Sequence, residues 1–337
     1  MVIEPLSPAR GTEKTPPEES PASLPTNVWL VGQESPPAQR RGRYSPASIR
    51  EHPGKMLPEV ARRLVETYTR PGDRILDPLS GIGTIGVEAI RRGRPYVGLE
   101  LEPRFIALQL ENLERARRDA RTKAGPKDAP MGEFLLCRGD ARGLDPDFPG
   151  GPSGLLGQLG PFDAVLTSPP YGGRGENPRK ASPPGFRRLV AEGKLGATAV
   201  PDCSALSREN LGHLKEDAEH FAGMRHVYAG CYRLLRPGGV MGLALRFGRQ
   251  RERLRPLPHE TARLCVSLGF VFLDEVAAVL GRIAVDPDGS ARVIGHPSFG
   301  HRRAIERLRG QGLPVSLNQV EQLLVFRKPE RSSSLPP

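Results

Sequence analysis

The sequence predicts an α/β fold in which a mixed, mostly parallel sheet is covered by helices on both faces. Short apolar runs alternate with segments of helical periodicity, and a glycine-rich turn follows the first run. Such alternation produces parallel strands joined by crossover helices. The last two apolar runs have no clear helix between them. They are therefore expected to pair antiparallel at one edge of the sheet.

Strand-length apolar runs, each bounded by turn residues, give the predicted sheet seven strands. These runs are 74–76, 96–99, 134–137, 163–166, 240–245, 270–279 and 321–326. The predicted helices are 57–68, 84–92, 103–119, 214–235 and 259–268. In the first helix, apolar residues recur every three or four positions from Leu57 to Tyr68, which indicates one buried face.

Composition divides the 337 residues into one large domain and two tails. Residues 1–43 are dense in Pro, Ser and Glu, and they are predicted to be disordered. Their one apolar island, 28–31, is able to dock as a short strand. Residues 44–328 are expected to form the folded domain, and 329–337 a second disordered tail.

A net charge of +11 favours polyanionic partners, although charge alone does not establish nucleic-acid binding. No apolar stretch approaches the roughly 18 residues that span a bilayer, so no membrane association is expected. The N-terminus lacks the apolar region of a secretory signal, and a cytoplasmic location is expected. The four cysteines and seven histidines show no metal-ligand spacing, and no metal is predicted.

A glycine-rich turn, 77–84, follows the first strand of the domain and opens a helix. Glycine lets the backbone approach a ligand closely, and the absence of a following Gly-Lys-Ser/Thr argues against a nucleoside triphosphate. Glu100 ends the second strand and suits ribose hydroxyls, although a solvated strand end is the simpler interpretation when it is considered alone. Asp140 ends the third strand. It suits an adenine amino group, and an ordinary cap or turn residue is an equal alternative.

The segment 167–171, Thr-Ser-Pro-Pro-Tyr, directly follows the fourth strand. An amino nitrogen on an aromatic ring is a poor nucleophile because its lone pair is delocalised. The Ser168 hydroxyl and the Pro169 carbonyl are two acceptors for the amino hydrogens, and the prolines stiffen the loop. Tyr171 is suited to stack on a base swung out of a duplex. Orientation and desolvation then supply the catalysis.

Taken together, these motifs resemble those of the amino-group DNA methyltransferases, which make N4-methylcytosine or N6-methyladenine. DPLSGIGT resembles the cofactor loop of that family, and TSPPYG resembles its catalytic motif in a form typical of cytosine-N4 enzymes. Further similar segments are HPGKM at 52–56, LRPGG at 235–239 and EQLLVFRK at 321–328. The resemblance implies a Rossmann-like class I methyltransferase fold, with a seven-stranded mixed sheet and an antiparallel last strand.

The resemblance also implies S-adenosylmethionine as the cofactor and a set of site residues. The implied catalytic residues are Ser168, Pro169, Pro170 and Tyr171. The implied cofactor-binding residues are Lys55, Asp77, Pro78, Ser80, Gly81, Gly83, Thr84, Glu100, Asp140 and Thr167.

The implied function is methyl transfer to the N4 amino group of cytosine in DNA, with base flipping. N6-adenine, an RNA or protein amino group, and a non-catalytic binding protein are the alternatives. Residues 172–213 and 281–318 are basic loops and are the candidate target-recognition segments. A cognate restriction endonuclease is a candidate partner, and the oligomeric state is left open.

Overall fold

A central sheet of eight strands organises the computed structural model. The structure describes residues 25–51, 55–123, 132–149, 160–171, 210–211, 214, 217–250, 252–295 and 299–330. The strands of the sheet are β1 (Val28–Leu30), β2 (Ile75–Asp77), β3 (Tyr96–Glu100), β4 (Phe134–Arg138), β5 (Phe162–Thr167), β6 (Leu235–Leu245), β9 (Val271–Val279) and β12 (Val320–Arg327). Two separate hairpins are β7 (Gly248–Gln250) with β8 (Arg253–Arg255), and β10 (Arg282–Val285) with β11 (Ala291–Ile294).

The strand order across the sheet is β1-β9-β12-β6-β5-β2-β3-β4. Every neighbouring pair is parallel except the two pairs made by β12, which runs antiparallel to both β6 and β9. The predicted antiparallel pairing of the last two runs is therefore confirmed. The sheet has one strand more than predicted, because β1 adds to the outer edge of β9.

Helices cover both faces of the sheet, as the fold class predicts. They are α1 (Pro36–Arg40), α2 (Pro46–Glu51), α3 (Pro58–Tyr68), α4 (Thr84–Ile90), α5 (Pro103–Lys123), α6 (Asp217–Leu234), α7 (Leu257–Ser267) and α8 (Phe299–Gly310). Side chains of α3, α4 and α5 form one core with the sheet, and side chains of α6 and α7 form the other. Adjacent strand residues such as Ile75 and Leu76 enter opposite cores, as pleating requires.

The predicted disordered tail, 1–43, is wrong for its second part, because residues 25–43 contain β1 and α1. Val28 to Leu30 pair in parallel with residues 277–279 of β9, and the Trp29 side chain is buried between the sheet edge and α3. Burial of this indole and completion of the β9 edge outweigh the polar composition of the flanking sequence. Residues 1–24 and 331–337 lie outside the described residues.

The two candidate recognition segments differ in what the structure describes. Residues 281–318 contain the β10–β11 hairpin and α8, so the segment is more regular than the expected turn-rich loop. Of residues 172–213, only 210–211 belong to the described part of the chain. Among all described residues, no helix combines the length and apolarity needed to cross a bilayer.

Candidate active site

The motif residues meet at one edge of the sheet. β2, β3, β4 and β5 are parallel neighbours, so their carboxyl ends share that edge. Asp77, Glu100 and Thr167 end three of these strands, and Asp140 follows the fourth by two residues. Four segments at different places in the sequence thus meet at one edge of the sheet.

The glycine loop after β2 faces Glu100. Gly81 and Gly83 have φ angles of +52° and +77°, which glycine adopts without strain. The Gly81 amide donates to Glu100 Oε2 at 2.8 Å, and the Glu102 amide donates to Glu100 Oε1 at 2.8 Å. Glu100 nevertheless remains partly exposed. A glycine loop with a partly exposed carboxylate fixed against it fits the ribose end of an adenosine cofactor.

Burial raises the pKa of Glu100 to about 7, and the hydrogen bonds from the Glu102 and Gly81 amides offset only part of this rise. The charged carboxylate is the form that accepts two ribose hydroxyls. This acceptor is therefore expected to titrate near neutral pH before the cofactor binds.

Asp77 and Ser80 stabilise the conformation of the glycine loop through hydrogen bonds to buried neighbours. Asp77 is buried and accepts from the Tyr96 hydroxyl at 3.3 Å, and burial raises its pKa to about 7. Ser80 Oγ lies 2.9 Å from Gln109 Oε1 and 3.1 Å from the Leu99 carbonyl. Both side chains face this internal network, so any contact they make with a cofactor involves the loop backbone.

Gly83 and Thr84 begin α4 under the loop. A Cβ atom on Gly83 would lie 2.7 Å from Cγ of Gln109, so glycine at this position is also needed for packing against α5. Thr84 and Pro78, at the end and near the start of the loop, are both buried.

Asp140 is already engaged by a neighbour. It caps the 3-10 turn Ala141–Leu144, accepting from the Arg142 amide at 2.9 Å. The Arg142 guanidinium also binds the carboxylate, with Nη2 2.7 Å from Oδ2, and both side chains are buried. The capping alternative is therefore present in the structure. Contact with an adenine amino group remains a prediction.

Lys55 lies three residues before α3 and is half-buried. Burial, together with the charge of Arg40, lowers the pKa of Lys55 to about 8. Arg40 itself is buried, and its Nη2 donates to the Met56 carbonyl at 2.5 Å. Residues 52–54 of the HPGKM segment lie outside the described residues.

Ser168 is positioned as a hydrogen-bond acceptor. Its hydroxyl donates to the Ala244 carbonyl on β6 at 3.2 Å, and the preceding residue, Thr167, is buried. A hydroxyl has one hydrogen and two lone pairs, so the lone pairs of Ser168 Oγ remain to accept hydrogens from a substrate. Pro169 is buried and Pro170 is half-buried, consistent with a rigid loop at the strand end.

Tyr171 is anchored at both its hydroxyl and its backbone. Its Oη donates to Glu321 Oε1 at 3.3 Å, and its carbonyl accepts from Arg255 Nη1 at 2.9 Å. Burial, followed by the charge of Glu321, raises the pKa of Tyr171 well above its usual value. The side chain packs against the core under α6 and α7.

Sequence reasoning missed Glu321 and Arg255. Glu321 is buried at the start of β12, and burial raises its pKa while the charge of Arg246 opposes the rise. Arg255 is buried at the end of β8 and pairs with Asp217 as well as with the Tyr171 carbonyl. An acid that opens an otherwise apolar strand was the available signal for Glu321.

A DNA methylase family that modifies amino groups matches residues 5–111 of this chain. The match contains the glycine loop and Glu100 and ends before the catalytic motif. DNA adenine methyltransferase YhdJ of Escherichia coli (strain K12) is 32% identical over 104 residues, or 31% of this chain and 33% of that protein. Type II methyltransferase M.XycI of Xanthomonas campestris pv. cyanopsidis is 40% identical over 57 residues, which are 17% of this chain and 19% of that protein.

A tRNA (guanine(10)-N2)-dimethyltransferase of Methanothermobacter thermautotrophicus is 33% identical over 122 residues, or 36% of this chain and 29% of that protein. This chain thus spans a third or less of the length of these relatives. The crystal structure of TrmN from Thermus thermophilus is similar in fold, and the alignment covers 86% of this chain and 53% of the TrmN chain, at 19% identity and a TM-score of 0.40. The fold assignment rests on the strand order of the sheet itself.

The strand order, the antiparallel β12 and the glycine loop facing an acid define a Rossmann-like methyltransferase fold. The family match and the curated relatives are similarities to amino-group DNA methyltransferases, and they agree with the resemblance of the motifs. The cofactor of that family is S-adenosylmethionine, and the loop and Glu100 fit it.

Proposed function

We propose that this chain transfers a methyl group from S-adenosylmethionine to the N4 amino group of cytosine in DNA. The observation that carries the proposal is the orientation of Ser168. Its oxygen lies 3.2 Å from the Ala244 carbonyl, and a hydroxyl that donates there keeps lone pairs with which to accept from an exocyclic amino group. The Ser-Pro-Pro-Tyr form of the motif favours cytosine over adenine.

The residues of the chain bind the cofactor, orient the target base and exclude water from it. S-adenosylmethionine, when bound, supplies an electrophilic methyl group on a sulfonium centre. Glu100 accepts the ribose hydroxyls, while the loop at Gly81 and Gly83 lets the backbone approach the cofactor. Ser168 Oγ and the Pro169 carbonyl accept hydrogen bonds from the two amino hydrogens, which localises the nitrogen lone pair. Tyr171 stacks on the extruded base and excludes water.

Mass spectrometry of nucleosides tests this proposal. The purified chain is incubated with DNA and isotopically labelled S-adenosylmethionine, and Ser168→Ala is the matched variant. We expect label in N4-methylcytosine and a loss of about 100-fold or more with Ser168→Ala, as when a positioned acceptor is removed. Label in N6-methyladenine would show that the methylated base is adenine and not cytosine, and the proposed mechanism would still apply.

Methyl transfer to RNA is the second candidate, favoured by the similarity to the tRNA dimethyltransferase over 36% of this chain. RNA incubated in parallel distinguishes the two. Label in RNA nucleosides with none in DNA would reject DNA as the substrate.

The β10–β11 hairpin and α8 are proposed to contribute to target recognition, with base flipping, together with residues 172–213. The segment carries exposed arginines, including Arg282 and Arg292, and α8 has Arg307 and Arg309 in its last turn. A cognate restriction endonuclease and a cytoplasmic location remain predictions of the sequence.

A further inference from the structure

Ten residues directly after β6 form an unusually basic segment. The segment 246–255 contains five arginines against one glutamate. We call it the arginine hairpin, because β7 and β8 pair antiparallel within it, with Gly248 opposite Arg255 and Gln250 opposite Arg253. Neither the glycine loop nor the catalytic motif includes these residues.

The arginine hairpin leaves the sheet at the catalytic edge. β6 ends at Leu245, one residue after the carbonyl that accepts the Ser168 hydroxyl hydrogen. At the far end of the hairpin, Arg255 donates to the Tyr171 carbonyl at 2.9 Å and pairs with Asp217 at the start of α6. The arginine hairpin therefore begins two residues after a carbonyl that Ser168 contacts, and its last residue contacts the catalytic loop directly.

The outer arginines face solvent. Arg253 is exposed, and Arg249 is half-exposed, with its Nη1 donating to the Glu252 carbonyl at 2.7 Å across the turn. Within the described residues, neither of these two arginines pairs with a carboxylate. Arginine presents a planar fork of donors that matches phosphate oxygens. A solvent-facing ribbon of such side chains beside the catalytic loop suits a polyanionic strand.

We propose that the arginine hairpin binds the DNA phosphate backbone next to the target base, through Arg249 and Arg253, and that Arg255 fixes this contact relative to Tyr171. The inference rests on the proposed DNA substrate. It assigns phosphate binding to a segment distinct from the candidate recognition segments 172–213 and 281–318. The hairpin would then hold the strand in register while another part of the chain reads the sequence.

The salt dependence of DNA binding tests the inference. The full chain and its Arg249→Gln/Arg253→Gln variant are titrated against a fluorescently labelled duplex of mixed sequence at several salt concentrations. Each lost phosphate contact lowers the slope of log K against log salt by about 0.9. The double variant is therefore expected to lower the slope by about 1.8, with unchanged S-adenosylmethionine affinity by calorimetry.

The matched control is Arg118→Gln/Arg121→Gln, which removes the same charge from the exposed last turns of α5. Because α5 starts at the catalytic edge and runs back along the sheet, this charge lies toward the opposite edge. Equal slopes for the hairpin and control variants would overturn the inference while wild-type methylation of DNA still supports the proposed function. Absence of DNA methylation by the wild type, with RNA labelled instead, would overturn both.

Discussion

The Tyr171 hydroxyl donates to Glu321, a carboxylate separated from it by 150 positions in the sequence. This bond joins the end of the catalytic motif to the start of the last strand, β12. Glu321 is a positioning residue in this arrangement, because it contacts Tyr171 rather than a reacting atom. Under the proposed function, its role is to fix the ring on which the target base would stack.

A double-mutant cycle of Tyr171→Phe and Glu321→Gln measures this coupling. Removing the hydroxyl should lower the single-turnover methylation rate by about 2- to 10-fold, the size of one net hydrogen bond. Adding Glu321→Gln should then lower the rate little further, because the bond is already lost. Independent effects that multiply in the double variant would show that the two side chains do not act together.

Glu100 predicts a pH-dependent affinity for the cofactor. Its pKa is raised to about 7 by burial, so the charged acceptor predominates above this pH and is lost below it. Calorimetry with S-adenosylmethionine should show weaker binding as the pH falls from about 8 to about 6.

Two variants separate Glu100 from other titrating groups. Glu100→Gln should bind weakly at every pH and should flatten the profile. Glu102→Gln, at the neighbouring acid that accepts from Asn210, should keep a pH-dependent affinity, with its midpoint moved to lower pH because the Glu102 charge contributes to the raised pKa of Glu100. A profile that is unchanged in Glu100→Gln would assign the titration to another group.

At the scale of elements, β1 shows how a three-residue strand is stabilised by what it covers. Trp29 is 8% exposed, whereas Leu30 beside it is 42% exposed. The Trp29 ring lies 6.4 Å from the Tyr68 ring, centre to centre, and Arg63 of α3 lies over it at 5.7 Å. The strand therefore fastens the segment before α1 to the outer edge of β9.

Trp29→Ala should lower the free energy of unfolding by about 3 kcal/mol, in the range for loss of a buried large aromatic side chain. Leu30→Ala, on the same strand but facing solvent, should cost under about 1 kcal/mol. Urea denaturation of both variants checks the difference. Similar losses for the two would mean that β1 contributes through backbone pairing rather than through the indole.

Across the whole molecule, the sequence predicted those parts of the fold and site that depend on local pattern. The glycine loop, the acid that ends β3 and the Ser-Pro-Pro-Tyr turn are each contiguous or close to a strand end, so their spacing carried the information. Asp140 caps the 3-10 turn that follows it, which is one of the two roles that the sequence predicted for it.

Long-range contacts escaped prediction for a physical reason. Arg255 reaches the Tyr171 carbonyl across 84 positions, and Glu321 reaches its hydroxyl across 150. Neither pairing has a local signature, because each exists only after β12 and the arginine hairpin have been placed beside β6. Composition assigned the segment around β1 to a disordered tail and left docking of its apolar island open, because the packing of one indole against the sheet edge decides its structure.

The antiparallel direction of β12 has a consequence for how this fold can diversify. β9 ends and β12 begins at the catalytic edge, so the whole stretch between them, with β10, β11 and α8, leaves the sheet and returns to it beside the site. An exchange of this stretch would leave every strand of the central sheet with its partners. The antiparallel closing strand therefore provides a place beside the motif residues where sequence can be inserted or replaced without disturbing the strands that carry them.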